Sequence, residues 1–242
     1  MSTAASVQKD LAAFARLNRV SDYLRFFKAG PGEYAEGDEF IGVRVPDSRE
    51  VAKNHKDLSL VEIQKLLDSK IHEERFVGLV ILVNRFKIAS KPKSLDTKMQ
   101  KETFDFYMTN LYAQRVNNWD LIDSTAPYLG YYLLGKPGTT TFLDRLAKSE
   151  SLWERRAAVM FTFAFIREFE LNDTLRLCKR LLGDEHDLMH KACGWMLREL
   201  GKQDLGALRG FLEENVTKMP RTMLRYSIEK MSERERQMWL KR

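Results

Sequence analysis

The chain has little sulfur chemistry to offer. Its two cysteines, Cys178 and Cys193, belong to no metal-binding spacing and are too few for a disulfide framework, so a reducing, cytoplasmic setting is expected. Six prolines and thirteen glycines in 242 residues exclude a collagenous or low-complexity chain. Long apolar runs are missing as well. Stretches such as Val77–Val83 fall far short of the roughly 20 residues a membrane span needs. The opening MSTAASVQKDLAAFARLNRV contains an acidic residue and no apolar block, so neither a leader nor a membrane anchor is expected. Of the four histidines, His186 and His190 are one helical turn apart, but no HExxH or cysteine pair completes a site, and neither metal nor cofactor is predicted. No serine, cysteine or lysine nucleophile has a recognisable base, and no lysine has an apolar setting that would depress its pKa.

Alternating runs are nearly absent too, which leaves strands without support. Apolar residues recur instead at three- and four-residue spacing along almost the whole chain, and the fold class is all-α. The pattern predicts helices over 7–27, 48–56, 60–67, 73–86, 97–114, 119–134, 140–147, 152–168, 174–182, 188–200, 205–215 and 221–230, with a short turn at the end. The connections are tight. The irregular stretch 30–42 and the Lys136-Pro137-Gly138-Thr139 break are too short for a flexible linker, so one domain over 1–242 is expected. Hydrophobic residues at 44% supply a core, and charged residues at 31% leave a highly charged exterior. The formal net charge of +6 favours polyanionic partners mildly. Its surplus leans to the second half, where residues 151–242 hold 18 Lys and Arg against 14 Asp and Glu.

A faint internal echo accompanies the helices. Arg75, Arg156, Lys191 and Arg225 each open an apolar helical stretch; the last three are 35 and 34 residues apart, and the first gap of 81 is near two repeats. This is the spacing of paired-helix solenoids, in which equivalent positions on the inner helices line one groove. Basic residues in such a groove would follow a phosphate backbone, whereas on an ordinary solvated face they would be surface charges only.

The segment Asn117-Asn118-Trp119-Asp120-Leu121-Ile122-Asp123-Ser124-Thr125-Ala126-Pro127 carries the most chemistry. Either asparagine can cap a helix, which puts Asp120 in the first turn, where the exposed N–H groups favour a negative charge. Asp123 follows Trp119 by four and shares its face. Pro127, lacking an N–H, cannot bond the Asp123 carbonyl, so the helix should bend where the carboxylate emerges. A carboxylate beside a flat aromatic suits reactions in which positive charge develops on a sugar, such as N-glycosidic cleavage from an already cationic base. The plainer alternative packs Trp119 in the core and pairs Asp123 with an arginine. The run Phe161-Thr162-Phe163-Ala164-Phe165 is read as helix core.

Four segments together resemble a known family: Trp119-Asp120-Leu-Ile-Asp123, Trp153-Glu-Arg-Arg156-Ala-Ala, Lys191-Ala-Cys-Gly-Trp195-Met-Leu-Arg198-Glu and Met219-Pro-Arg221-Thr-Met-Leu-Arg225-Tyr-Ser-Ile-Glu. With Phe40-Ile-Gly-Val-Arg44-Val-Pro46-Asp-Ser-Arg49, they look like the signature segments of the AlkD-type DNA glycosylases, the HEAT-like-repeat alkylation repair enzymes, in the family's order over nearly the whole chain. The resemblance implies a right-handed superhelix of antiparallel helix pairs with a concave DNA-binding face. It implies a monomer that excises cationic N3- and N7-alkylpurines from duplex DNA. By the same resemblance Asp123 is the catalytic carboxylate and Trp119 and Trp195 cradle the lesion-bearing backbone. Arg156 contacts DNA beside them, while the repeat spacing, apart from the resemblance, predicts a basic cleft containing Arg156, Lys191 or Arg198, and Arg225. Tyr34 corresponds to an N-terminal cleft aromatic through a poorly aligned loop. Most glycosylases extrude the target base, but this family acts without a base-binding pocket, so none is expected. Relatives lose activity when these cleft residues change, and this chain keeps them. The competing expectation is a non-catalytic helical-repeat module that binds nucleic acid or another protein.

Overall fold

A computed structural model describes residues 2–242, and among these no strand occurs. The first of two compact units, 1–125, contains α1 (Ala4–Ala12), α2 (Val20–Phe26), α3 (Val45–Asn54), α4 (Leu60–Leu67), α5 (His72–Ala89), α6 (Thr97–Tyr112) and α7 (Trp119–Asp123). The second, 126–242, contains α8 (Ala126–Leu129), α9 (Thr139–Ala147), α10 (Leu152–Arg167), α11 (Asn172–Arg180), α12 (Asp187–Gln203), α13 (Leu205–Asn215), α14 (Arg221–Ser227) and α15 (Glu233–Leu240). Side-chain caps start several of these. Thr3 and Ser6 form a capping box on α1, Asp96 accepts from the Met99 N–H at 2.8 Å, and Asp204 accepts from the Ala207 N–H at 2.9 Å.

Each unit is built round one long helix that is apolar on nearly every side. In the first, α5 buries Phe76, Val77, Leu79, Val80, Ile81, Leu82, Val83 and Phe86 against α3, α4 and α6. In the second, α10 buries Val159, Met160, Phe161, Phe165 and Ile166 against α8, α9, α11 and α12. A helix that is hydrophobic all round is a core helix, and both behave as one. The packing of α12 on α14 needs Gly194, since a Cβ there would stand 2.6 Å from the Met223 carbonyl oxygen and 2.5 Å from Tyr226 Cβ.

Repeat structure is visible in one set of bonds. Arg75 donates through Nη1 to the carbonyls of Ser69 and Lys70 and through Nη2 to Asp38. Arg155 donates through Nη1 to the carbonyls of Ser149 and Glu150 and through Nε to Asp184. Ser69 and Ser149 each accept from the backbone N–H two residues on. The segments Ser69-Lys-Ile-His-Glu-Glu-Arg75 and Ser149-Glu-Ser-Leu-Trp-Glu-Arg155 are therefore equivalent. The register expected from sequence, which paired Arg75 with Arg156, is off by one residue.

Two predicted helices are broken. The single helix expected over 7–27 stops after Ala12 because the backbone nearby is engaged elsewhere. The Arg16 N–H donates to the Ile41 carbonyl at 2.8 Å, and Gly42, at φ 77°, fits against the Arg16 carbonyl where a Cβ would stand only 2.2 Å away. The helix expected over 119–134 shows more than the predicted bend. It ends at Asp123, where Thr125 Oγ1 donates to the Leu121 carbonyl at 2.6 Å, and helix resumes at Ala126 just before Pro127. An isolated bridge joins Glu39 to Ile71, the β-type pairing present among the described residues.

Candidate functional site

The first unit gathers an aromatic ledge over a buried charge network. Trp119 opens α7, with its N–H capped by Asn118 Oδ1 at 2.8 Å, and its ring is partly exposed. Phe27 lies stacked on it at 5.6 Å and 21°, and Phe26, 63% exposed, meets it edge-on at 5.6 Å. Phe27 in turn stacks on Phe40 at 5.1 Å, and both rings lie on the imidazole of His72, at 4.7 and 5.0 Å. Aromatic pairs of this kind add to what burial alone provides.

Beneath the ledge, the first turn of α5 is spelled His72-Glu73-Glu74-Arg75, and all four side chains are buried. Each is tied to a segment outside α5. His72 Nδ1 is 3.2 Å from Asp38 and Nε2 is 2.8 Å from Asp120. Glu73 accepts from the backbone N–H groups of Ile41, Gly42 and Val43, Glu74 from the side chain of Gln8, and Asp38 from Arg75 at 2.7 Å. Burial opposes the charge on His72, but the Asp120 carboxylate and the bonds to Asp120 and Asp38 outweigh it and push the imidazole up to about 9. Burial likewise works against Asp38, yet the bond from His72 and the charge of Arg75 hold it below the usual carboxylate value. Asp120 does occupy the first turn of α7, as the capping argument expected, but it is also the partner of a buried histidine.

Asp123 ends α7 on the face of Trp119 and is half-buried. Its charge reaches the phenol of Tyr107, a fully buried residue of α6 whose hydroxyl is 3.1 Å from Thr125 Oγ1. Burial pushes that phenol well above its ordinary value, the Thr125 bond opposes, and Asp123 adds to the rise. Tyr107 is therefore a neutral hydroxyl beside the carboxylate.

In the second unit, α12 carries Lys191, Trp195 and Arg198 at i, i+4 and i+7, a single stripe. The Trp195 indole N–H donates to Glu199 at 3.2 Å, and its ring tilts over Phe163 at 6.1 Å, which also receives the Arg167 guanidinium at 4.4 Å. Of the Phe161, Phe163 and Phe165 run, then, the outer two are core and Phe163 supports Trp195. Lys191 pairs with Asp187 at 2.7 Å, Arg198 with Glu199 and Glu229, and Arg225 stands exposed in the last turn of α14. Arg156 is 3% exposed, and its guanidinium donates to the Leu188 carbonyl, tying α10 to the first turn of α12.

Tyr34 is half-buried in the 30–42 stretch, while the N-terminal rings that meet Trp119 are those of Phe26 and Phe27. The sequence reading missed these two, together with Phe40 as their partner and His72, Asp38 and Tyr107. A signal existed for His72: four consecutive ionisable residues open a helix apolar on nearly every side, where charges that are buried have to be paired. Phe26 and Phe27 were hidden inside a helix drawn too long.

Among the described residues no cluster of histidine, cysteine and carboxylate side chains could hold a metal, and no helix is long and apolar enough to cross a membrane.

Comparison with known families matches residues 7–231 to the family described as DNA alkylation repair enzyme. The chain belongs to that family. As an alkylation repair family member it also resembles solved structures. One is a predicted DNA alkylation repair enzyme from Enterococcus faecalis, with a TM-score of 0.68 and 14% identity over 90% of this chain and 97% of that one. Another, at 0.59 and 14% over 97% and 96%, is described as a new family of proteins related to the HEAT-like repeat DNA glycosylases, with affinity for branched DNA structures. At such identity the likeness concerns the fold, which is all-helical and of the HEAT-like class. No curated relative matches the chain.

Proposed function

We propose that the protein is a monofunctional DNA glycosylase that removes cationic N3- and N7-alkylated purines from duplex DNA, acting as a monomer with residues 1–242 as one functional domain. The observation that carries this reading is the pairing of Trp119 with Asp123 on one face of α7 in a member of the DNA alkylation repair family. A cationic alkylpurine is already a good leaving group, so what the enzyme must supply is a fixed anion near the sugar as positive charge develops there, and a placed water. Asp123 is assigned that role. Trp119 in the first unit and Trp195 in the second are assigned to the lesion-bearing strand, with Phe26 as the exposed aromatic beside Trp119. Lys191, Arg198 and Arg225 are assigned to phosphates, Arg156 to holding α12 in place, and Tyr34 to the flank of the DNA site.

The oxygen of water bonds to deoxyribose C1′ as the bond from C1′ to the purine nitrogen breaks; the bonding pair leaves with the cationic base and makes it neutral, and the proton lost by the water passes to solvent. No Schiff base is involved, so no strand cleavage follows. The test is single-turnover release of 7-methylguanine and 3-methyladenine from methylated duplex by the purified protein, with Asp123→Asn alongside. A second reading, DNA binding without chemistry, is favoured by the solved neighbour described as having affinity for branched DNA. Tight binding of a branched duplex with no base release would select it.

A further inference from the structure

We infer that His72 is a positioning residue for the site: bonded through one ring nitrogen to Asp38 and through the other to Asp120, it clamps α7 from its buried side and so sets where Trp119 and Asp123 stand. The consequence for excision rests on the glycosylase reading; the clamp itself rests on the geometry of the first unit.

A helix of five residues has little stability of its own and must be held by its surroundings. For α7 the polar anchor on the buried side is Asp120. Its Oδ2 meets His72, while its Oδ1 is buried with no hydrogen-bond partner, so the carboxylate is fixed through the imidazole. Both ring nitrogens of His72 face carboxylates, and an imidazole donates at both nitrogens only when it is protonated. The charged groups around it are Asp120 from α7, Asp38 from the 30–42 stretch and Arg75 from its own helix. Arg75 is itself bonded to Asp38, and the neighbouring Glu73 and Glu74 are engaged by the Ile41–Val43 backbone and by Gln8. Two carboxylates and two cations thus close a neutral network. The same imidazole has Phe27 and Phe40 on its ring, and Trp119 lies on Phe27. One side chain therefore fixes α7 twice, through the carboxylate of Asp120 and through the ring under Trp119. Misplacing a reacting group by about 1 Å can cost roughly 100-fold in rate, which is the kind of loss a slackened α7 should show.

The experiment combines the ring's titration with kinetics. In the wild-type protein, 15N NMR of the His72 ring should show both nitrogens protonated at pH 7 and titration near pH 9. His72→Gln, confirmed folded by circular dichroism, should lose about 10- to 100-fold in single-turnover excision with duplex affinity within about threefold, and the Trp119 indole resonance should shift. Asp120→Asn should do the same. The double variant His72→Gln/Asp120→Asn should be no slower than the slower single variant, because both break one clamp. A merely structural histidine would lower the melting temperature and leave the rate per folded molecule unchanged. Wild-type excision by folded His72→Gln, multiplying losses in the double variant, or a neutral ring at pH 7 would overturn the inference. If the wild-type protein releases no base, the glycosylase reading fails, and the ring titration with the Trp119 resonance still decides the clamp: a Trp119 signal unmoved in both variants refutes it.

Discussion

Arg75 and Arg155 make matching bonds at equivalent points of the two units, each closing the turn before its core helix by donating to two carbonyls and one aspartate. Their settings differ. The pair Arg75–Asp38 is 5% and 4% exposed, while Arg155 is 19% exposed against 5% for Asp184.

The difference predicts unequal costs. Removing one member of a buried ion pair leaves the other charge stranded, at about 3–5 kcal/mol. Arg75→Met should reach that range, since it leaves two buried carboxylates, Asp38 and Asp120, sharing the single cation of His72. Arg155→Met should cost roughly half as much, because water can reach the vacated site and screening reduces the penalty. Urea unfolding of both variants checks this, and equal midpoints would contradict it.

His72 makes stability depend on pH in an unusual window. Its folded pKa of about 9 exceeds the unfolded value of about 6.5, so its contribution is fully present below the unfolded value and is lost as pH rises through 9. Between these limits the folded protein holds more proton than the unfolded chain, and stability should fall by up to about 1.4 kcal/mol per pH unit. Asp38, held low, acts in the opposite direction in acid, where its contribution is lost as pH falls below the ordinary carboxylate range. Urea midpoints from pH 6 to 10 should decline in the wild-type protein, and His72→Gln should flatten that decline. A wild-type midpoint constant from pH 7 to 9.5 would refute the assignment.

The cations divide by placement. Lys191 and Arg225, exposed on α12 and α14 to different degrees, should each act as a phosphate contact. Lys191→Ala and Arg225→Ala should each reduce the slope of log affinity against log salt by about 1, with little change in melting temperature. Arg156→Ala should do the reverse: it removes the bond that ties α10 to the Leu188 carbonyl and leaves a void between α10 and α12, so it should lower stability by about 2–4 kcal/mol. Binding by the folded Arg156→Ala protein with the wild-type salt slope would support the structural role, and a slope reduced by 1 would restore Arg156 to the DNA contacts.

Local pattern made most helices legible. The helix at 60–67 and the one at 205–215 match to the residue, because apolar periodicity and the Ser59 and Asp204 caps agree there. The helix over 7–27 was not legible, since what ends it is a hydrogen bond from Arg16 to Ile41, and Gly42 reads as a loop residue until its contact with Arg16 is known. At the site, Trp119 and Asp123 could be placed together because they share one short helix. The remaining partners come from segments far apart in sequence. Asp38, Phe27 and His72 meet through tertiary packing, which leaves no periodic trace. The repeat register shows the opposite case: sequence spacing pairs Arg75 with Arg156, whereas the matching bonds pair it with Arg155, and one residue on a helix turns a side chain by about 100°.

Asp123 is the most direct test of the account. Asparagine keeps the shape of the side chain and removes the anion, so the loss should fall on the chemical step, at about 10²–10³ in rate, while duplex binding stays close to wild type. Trp119→Ala should lower both, because it removes stacking area as well as placement. The measurement is single-turnover release of 7-methylguanine from methylated duplex by wild-type protein and Asp123→Asn, with duplex affinity measured in parallel. Release by the wild-type protein, lost in Asp123→Asn with affinity retained, is the predicted result. Release by Asp123→Asn at the wild-type rate would contradict the central claim.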